Sequence, residues 1–235
     1  MKALDLFCCA GGASVGLHQA GFDVTGVDLK PQKRYPFKFH QGNVLEINIE
    51  WCRQFDLIWA SPPCQHHTAM KTMPDAREHP DLIPQTRELL QKIGKPYIIE
   101  NVVGARKSLF NPIQLCGTAF GLGVEDADLQ RHRLFECSFP VEQMPCNHGA
   151  RATIGVYGGH MRNRKRRTIG VYGEGCRDSR RKLDRGVADF TIEQGREAMG
   201  IDWMSVAELC EAIPPAYSKY LAEQFIKSLT ARKYA

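Results

Sequence analysis

The chain has 235 residues, of which 43% are hydrophobic and 24% are charged, and its formal net charge at pH 7 is +5. This length suffices for one sizeable hydrophobic core with a small appended lobe, and so ordinary a composition excludes an intrinsically disordered chain. No stretch approaches the ~18 consecutive apolar residues of a membrane span, and the N-terminal apolar run is too short for a signal peptide. We therefore expect a cytoplasmic protein, whose nine cysteines, none in a CxxC pair, stay reduced.

The first 135 residues alternate short apolar runs with helix-like stretches, which is typical of a mostly parallel sheet flanked by helices. The apolar runs predict strands at residues 3–7, 24–28, 57–60 and 97–101. Apolar residues at helical spacing predict helices over residues 14–20 and 83–93. The pattern thus predicts an α/β fold.

The sequence changes character after Pro140, where glycine, arginine and polar residues dominate as far as Asp189. Residues 151–185 contain 11 lysines and arginines against 3 acidic residues, whereas the rest of the chain has 20 against 23. Such a basic block is either a solvated, flexible surface or a contact for a polyanion. The hexapeptide TIGVYG begins at Thr153 and again at Thr168, which predicts two short strands of a small β lobe with the RNRKRR run as a hairpin tip.

Helical patterns return near the C-terminus. Thr191 is a candidate N-cap for a short helix, and Ser205, with Glu208 three residues later, has the spacing of a capping box. Apolar residues four apart predict a packed terminal helix over residues 214–229.

The motif DLFCCAGG, residues 5–12, ends the first predicted strand and opens a helix. Ligands of open α/β sheets bind at this position, and a helix N-terminus favours an anionic group. Asp28 ends the second strand, where its carboxylate could bind the ribose hydroxyls of an adenosine cofactor. No GxGxxG pattern supports a dinucleotide, and a purely structural strand-to-helix turn is the alternative interpretation.

Three further motifs carry reactive side chains. In SPPCQ, residues 61–65, two prolines stiffen the loop that presents Cys64, which is either a nucleophile or a buried small side chain. Glu100 ends an apolar strand, where a carboxylate is unfavourable unless it is paired or functional. Arg131 and Arg133 alternate, so both could face one side of an extended segment.

In this order, DLFCCAGG, SPPCQ, ENV, RHR and REAMG resemble the motifs of the DNA (cytosine-5) methyltransferases, especially compact phage and bacterial members. The resemblance runs from Leu4 to about Phe225 and leaves residues 140–190 without a familiar pattern. It implies a Rossmann-like, S-adenosylmethionine-dependent methyltransferase fold with a small β-rich target-recognition lobe. The implied division is a catalytic and cofactor-binding domain at 1–139, a basic recognition lobe at 140–190 and C-terminal helices at 191–235.

The resemblance also implies a mechanism. Cys64 would add to carbon 6 of a cytosine flipped out of double-stranded DNA, and Glu100 would hold or share a proton at ring N3. Arg133 would bind the carbonyl O2, while Arg131 would either support it or contact phosphate.

The remaining implied residues form two groups. Those assigned to S-adenosylmethionine are Phe7, Cys9, Ala10, Gly11, Gly12, Asp28, Leu29, Asn43, Val44, Ser61, Pro63, Ala212 and Ile213. Those assigned to DNA are Gln65, Arg162, Arg164, Lys165, Arg166, Arg167, Arg177, Arg180 and Arg181.

The sequence departs from the family pattern at four places. Cys9 replaces a glycine, Asn43 replaces an aspartate, Leu129 replaces the first glutamine of a Q-x-R-x-R motif, and residues 210–214 replace a Gly-Asn segment. A catalytically inactive DNA-binding relative, with its chemistry lost through Cys9 or the altered final segment, is therefore one alternative function. An RNA cytosine-5 methyltransferase is another, because thiol addition at carbon 6 suits any flipped cytosine. An amino-methyltransferase is disfavoured, because those enzymes usually carry D/N-P-P-Y/F where this chain has SPPCQ.

The cysteines and histidines of the second half do not follow a common zinc pattern. The candidate ligands are Cys137, Cys146, His148, His160 and Cys176. Their spacing predicts structural thiols, so we expect no metal site. We expect a monomer in the cytoplasm of a prokaryotic or phage-infected cell.

Overall fold

The computed structural model describes residues 1–68, 79–156 and 190–233. Its strands are β1 (Lys2–Leu6), β2 (Asp23–Asp28), β3 (Lys38–Gln41), β4 (Leu57–Ala60), β5 (Tyr97–Asn101), β6 (Ile113–Leu115), β7 (Gly123–Val124), β8 (Ala127–Asp128), β9 (Arg133–Cys137) and β10 (Ala152–Thr153). Its α-helices are α1 (Gly12–Gln19), α2 (Ile49–Cys52), α3 (Ile83–Ile93), α4 (Ile192–Met199), α5 (Val206–Glu211) and α6 (Pro215–Lys233). The predicted α/β class is confirmed. None of the helices in these ranges combines the length and apolar character that crossing a bilayer requires.

A seven-stranded sheet forms the centre of the molecule, in the order β3-β2-β1-β4-β5-β9-β6. The first five strands in that order are parallel, whereas β9 is antiparallel to both β5 and β6. The strand order reverses between β1 and β4, and the carboxyl ends of the parallel strands meet there at one edge. Because β9 runs the other way, its first residue, Arg133, lies at that same edge.

Side chains alternate across the sheet, so each central strand contributes to two hydrophobic clusters. On one face, Trp59 belongs to the cluster that contains Leu17 of α1 and Tyr217 of α6. On the other face, its neighbour Ile58 belongs to the cluster that contains Leu90 of α3. The sheet is therefore covered by helices on both faces.

A second, three-stranded sheet has the order β10-β8-β7 and shares a hydrophobic cluster with α4. Among the described residues of the first TIGVYG copy, Thr153 belongs to β10, where it pairs in parallel with Asp128. The predicted domain boundary at residue 140 therefore separates two strands of one sheet. The second copy and the RNRKRR run lie outside the described residues.

Several predicted helix ends are confirmed. Thr191 and Ser205 each cap a helix through a capping box, the second with Glu208 as predicted. The helix predicted over residues 83–93 has those bounds, and the terminal helix starts one residue later and ends four later than predicted. Helix α1 starts at Gly12, two residues before the predicted start, because Gly11 takes a left-handed φ of 87° as its N-cap.

Helices α1 and α6 pack closely at Gly16. A Cβ atom at this position would overlap the carbonyl oxygen of Pro215 and the hydroxyl of Ser218, and it would lie 2.8 Å from the backbone nitrogen of Lys219. The absence of a side chain therefore sets the distance between the two helices. Since α1 opens at the DLFCCAGG turn, this packing also fixes the position of the turn.

We predict that Gly16→Ala lowers the free energy of unfolding by about 1–3 kcal/mol, because backbone atoms of α6 cannot move aside as a flexible side chain can. Denaturant titration measures the change. Gly42→Ala is the control, since its Cβ would make only an ordinary 3.5 Å contact with His40. Equal stability of the two variants would contradict the close packing.

Candidate active site

The turn between β1 and α1 has an unusual backbone. Phe7 and Cys9 have φ values of 59° and 44°, and Gly11 has 87°, so alternate residues lie in the left-handed region. Non-glycine residues enter this region at a cost, which gives a physical reason why glycine suits position 9 better than cysteine. Gly11 offers no side chain to cap α1, so the first N–H groups of the helix have no side-chain cap.

Asp28 holds this turn in place from the end of β2. One carboxylate oxygen accepts a hydrogen bond from the Cys9 backbone N–H at 3.0 Å, and the other accepts one from the Lys30 backbone N–H at 3.0 Å. Each oxygen keeps a free lone pair that can accept from a hydroxyl group. The adjacent Leu29 is 65% exposed, so an apolar side chain stands beside the carboxylate.

Asn43 and Val44 follow β3. The side-chain oxygen of Asn43 caps a 3₁₀ turn by accepting from the Leu45 backbone N–H at 3.1 Å. The side-chain NH₂ group of Asn43 donates to the Glu46 carboxylate at 2.8 Å. The oxygen retains one lone pair, so it can still accept from an adenine amino group. Val44 is buried beneath it.

The segment after α5 packs against the turn, as the assignment of Ala212 and Ile213 requires. A Cβ atom on Gly12 would lie 2.7 Å from the Ile213 carbonyl oxygen and 3.3 Å from the Ala212 Cβ. The indole N–H of Trp203 donates to the Ala10 carbonyl oxygen at 2.9 Å. Trp203 was not predicted, and no sequence signal identifies a contact across 193 positions.

These features fit S-adenosylmethionine in three respects. The uncapped N-terminus of α1 suits a carboxylate, Asp28 suits the two ribose hydroxyls, and the exposed Leu29 suits the flat face of adenine. Nearby, Asp5 accepts from the Ser14 hydroxyl at 2.5 Å, while its other oxygen is buried without a hydrogen-bond partner among the described residues. Burial raises the pKa of Asp5 to about 7.

The SPPCQ loop is anchored on three sides. The Ser61 N–H donates to the Leu6 carbonyl oxygen at 3.1 Å, and the Trp59 indole donates to the Ser61 hydroxyl at 2.9 Å. The Asn101 amide donates to the Pro62 carbonyl oxygen at 2.9 Å. Cys64 is consequently held at the carboxyl edge of the sheet, half-buried, with Pro63 and Gln65 exposed on either side.

Glu100 and Arg133 form a buried ion pair beside this loop. The Arg133 Nε lies 3.2 Å from a Glu100 carboxylate oxygen, and both side chains are largely buried. Burial raises the pKa of Glu100, although Arg133 and the Ser61 hydroxyl act in the opposite direction. The pKa of Cys64 is also raised, by burial and by the Glu100 charge, and Arg133 again opposes the shift. Three of the four predicted catalytic groups, Cys64, Glu100 and Arg133, therefore interact electrostatically.

Arg131 has a different environment from the one that a phosphate contact needs. It is 2% exposed, and its guanidinium donates to the carbonyl oxygens of Ala212 (2.9 Å), Cys210 (2.7 Å) and Val156. The prediction that Arg131 contacts phosphate is therefore wrong, because a guanidinium engaged with carbonyl groups in the interior does not face the surface. Its position fits the supporting role, since it connects β10 and the segment after α5 to the approach to β9.

The loop after Cys64 makes contacts within the protein that were not predicted from the sequence. His67 Nε2 lies 3.0 Å from Asp81, which also accepts from Ser108 and from the Ile83 N–H. Gly104 allows this loop to approach β5 closely, because a Cβ there would overlap the His67 carbonyl oxygen. The HH pair directly after SPPCQ was the available sequence signal. Of the predicted DNA-contacting residues, only Gln65 lies within the described ranges.

We predict opposite changes in the acidity of Cys64 when its two charged neighbours are neutralised. Glu100→Gln removes a negative charge, so the thiolate forms at lower pH, whereas Arg133→Met removes a positive charge and shifts its formation to higher pH. The measurement is the pH profile of iodoacetamide alkylation at Cys64, followed by mass spectrometry. Glu88→Gln, at an exposed pair with Lys92, is the control. Shifts in the same direction for Glu100→Gln and Arg133→Met would contradict the assignment.

Comparisons with known proteins agree with this geometry. Residues 1–112 match the family model of the C-5 cytosine-specific DNA methylases. A putative DNA modification methyltransferase encoded within an E. coli prophage has a similar structure, with a TM-score of 0.63 and 14% identity over 98% of this chain and 99% of that chain. A Spodoptera frugiperda DNMT2 mutant has a TM-score of 0.60 and 13% identity over 96% and 99%.

The Entamoeba histolytica methyltransferase EhMeth has a TM-score of 0.59 and 12% identity over 97% and 98% of the two chains. No curated protein sequence matches the chain. At these identities the structures establish the methyltransferase fold, and the family model covers the residues that include Cys64 and Glu100. Residues 1–112 are therefore similar to the C-5 cytosine-specific DNA methylases, as the order of the motifs predicted.

Proposed function

We propose that the protein is a DNA (cytosine-5) methyltransferase that transfers the methyl group of S-adenosylmethionine to a flipped-out cytosine through a covalent adduct with Cys64. The observation that carries the proposal is the cluster of Cys64, Glu100 and Arg133 at the sheet edge beside the α1 turn. A structural role alone does not account for a half-buried thiol that faces a buried carboxylate and its guanidinium partner.

The chemistry needs each of the three groups. Carbon 5 of cytosine is a poor nucleophile, and addition of the Cys64 thiolate to carbon 6 gives the ring enamine character. Glu100, whose raised pKa favours its protonated form, holds the proton at N3 that neutralises the developing charge. Arg133 uses guanidinium N–H groups not engaged with Glu100 to hold the carbonyl O2. When bound, S-adenosylmethionine supplies an electrophilic methyl group.

The same electrostatics link thiol activation to the bound base. Whenever Glu100 is ionised, its negative charge opposes formation of the Cys64 thiolate. A cytosine in the site shares with Glu100 a proton taken up from the solvent, which neutralises that negative charge. Thiolate formation is thereby favoured when the base that it attacks is present.

Double-stranded DNA is the proposed partner. The target carbon is inaccessible within a duplex, so the base must leave the stack to reach the half-buried thiol. The excess of 11 basic over 3 acidic residues in 151–185 supplies attraction for phosphate that the rest of the chain lacks. Its arginines and lysines within 157–189 lie outside the described residues, and their roles rest on charge alone. We propose that the protein acts as a monomer in the cytoplasm.

Cys64→Ser tests the function. We expect wild-type protein to produce 5-methylcytosine in duplex DNA and the variant to produce none, because a serine hydroxyl is far less nucleophilic than a thiolate. S-adenosylmethionine binding, measured by calorimetry, stays near the wild-type value. Cys137→Ser is the matched control, since Cys137 is also half-buried but lies at the opposite end of β9.

Parallel assays separate the alternative substrates. Wild-type methylation of structured RNA, without methylation of duplex DNA, would replace the proposal by an RNA methyltransferase. Methylation of neither, with folding and cofactor binding intact, would identify an inactive relative. Trapping on 5-fluorocytosine DNA adds an independent readout, because the stable adduct requires Cys64.

We predict that replacing Arg164, Lys165, Arg166 and Arg167 by glutamine weakens DNA binding and flattens its salt dependence. Each lost phosphate contact lowers the slope of log K against log salt by about 0.9. The control replaces the exposed Lys2, Lys38, Lys92 and Lys227, which removes the same charge elsewhere. Equal slopes of log K against log salt for the two variants would show that residues 164–167 make no phosphate contacts.

A further inference from the structure

Four potential metal ligands converge beside the active site. The thiols of Cys116 and Cys146 and the imidazoles of His132 and His148 have ligand atoms that all lie within 4.8 Å of one another. The Cys116 sulfur is 3.2 Å from His148 Nε2, and the Cys146 sulfur is 3.4 Å from His132 Nε2. The two histidine rings are 5.1 Å apart between centroids and nearly perpendicular.

We infer that these four residues bind a structural Zn²⁺ ion. Tetrahedral zinc, with bonds of about 2.3 Å to sulfur and 2.0–2.1 Å to nitrogen, separates a sulfur and a nitrogen ligand by about 3.6 Å. The two observed sulfur-to-nitrogen separations are close to this value. Two thiolates and two imidazoles complete the tetrahedral shell, so the ion has a structural role and no open position for catalysis.

The surroundings also suit a metal ion. Cys116 is buried while Cys146 and His148 are exposed, so the ion would lie where an extended surface segment meets the sheet. The Thr118 hydroxyl lies 3.1 Å from the Cys116 sulfur and accepts from the Asn147 N–H at 3.1 Å, which holds the two cysteine segments together. Such outer contacts orient ligands in metal sites.

A second group, His66, His67 and Asp81, is a weaker candidate. The Asp81 oxygens already accept from the Ile83 N–H and the Ser108 hydroxyl and pair with His67. Hydrogen bonds within the protein therefore account for this group, and it offers three ligands against four in the first.

The zinc ion would position the catalytic arginine. His132 lies between Arg131 and Arg133, and its carbonyl oxygen accepts from the Arg133 guanidinium at 3.0 Å. A metal bond to the His132 ring fixes this residue, and with it the approach of Arg133 to Glu100. The ion would also attach residues 146–148, which lead to β10 and the basic region, to the catalytic sheet.

The spacing of these residues in the sequence did not predict this site. The ligands are separated by 15, 13 and 1 residues, unlike the paired spacings of common zinc motifs. Cys146 and His148 were among the candidate ligands in the sequence, whereas Cys116 and His132 were not. Another candidate, Cys137, lies at the far end of β9. The prediction of no metal site is thus replaced by the proposal of one.

Metal analysis of the purified full-length chain tests the inference. We expect about one zinc ion per chain, and tetrahedral absorption with a sulfur-to-cobalt charge-transfer band after replacement by Co²⁺. The double variant Cys146→Ser, His148→Gln should lose the ion and remain folded, because both side chains are exposed. Added zinc should raise the Tm of metal-free wild type by about 5 °C or more and leave that of the variant unchanged.

Two control variants identify the ligands. Cys137→Ser, His40→Gln should keep the zinc, and so should Cys176→Ser, His160→Gln, which removes the other cysteine and histidine considered from sequence. Zinc retained by Cys146→Ser, His148→Gln, or lost from Cys176→Ser, His160→Gln, would overturn the inference. So would a folded wild type that takes up no zinc when it is supplied. None of these outcomes depends on methyltransferase activity.

Discussion

Two neighbouring strands of the central sheet run in opposite directions, and the arrangement of the reactive groups depends on this reversal. Because β4 and β5 are parallel, Glu100 near the end of β5 and Cys64 in the loop after β4 both lie at the carboxyl edge of the sheet. Because β9 is antiparallel to β5, its first residue reaches the same edge, and Arg133 pairs with Glu100 at 3.2 Å. A parallel strand in that position would carry Arg133 to the opposite end of the molecule. The ion pair in turn holds a buried carboxylate beside a thiol whose pKa is raised by burial and by the Glu100 charge and lowered by Arg133.

A second constraint attaches the C-terminal part of the chain to this edge. The guanidinium of Arg131 donates to carbonyl groups of Cys210, Ala212 and Val156, which come from two distant parts of the sequence. Buried carbonyl groups need donors, and one arginine satisfies several of them. The segment that it holds packs on Gly12 and completes the turn at which S-adenosylmethionine is expected to bind. Arg131 therefore holds the segment beside the expected cofactor site, while Arg133, two residues later, pairs with Glu100.

The turn between β1 and α1 combines backbone strain with a specific anchor. Phe7 and Cys9 adopt positive φ values that ordinary residues avoid, and Asp28 compensates by accepting the Cys9 N–H. This arrangement leaves the N-terminus of α1 without a side-chain cap, which suits an anionic group. The close packing of α1 on α6 at Gly16 keeps the strained turn in position. The proposed zinc site would act similarly on the other side, by fixing His132 between the two arginines.

Local chemistry determined much of this protein without reference to its tertiary structure. Strand and helix periods and the capping boxes at Thr191 and Ser205 were sufficient for the fold class and several helix ends. The order of the motifs indicated the family whose model matches residues 1–112. The environment of Arg131, the Trp203 contact with Ala10 and the cluster of Cys116 with three other potential metal ligands depended on tertiary structure. The physical reason is that periodicity and capping act between residues a few positions apart. Contacts in these sites join residues separated by up to 193 positions, and only the folded chain brings them together.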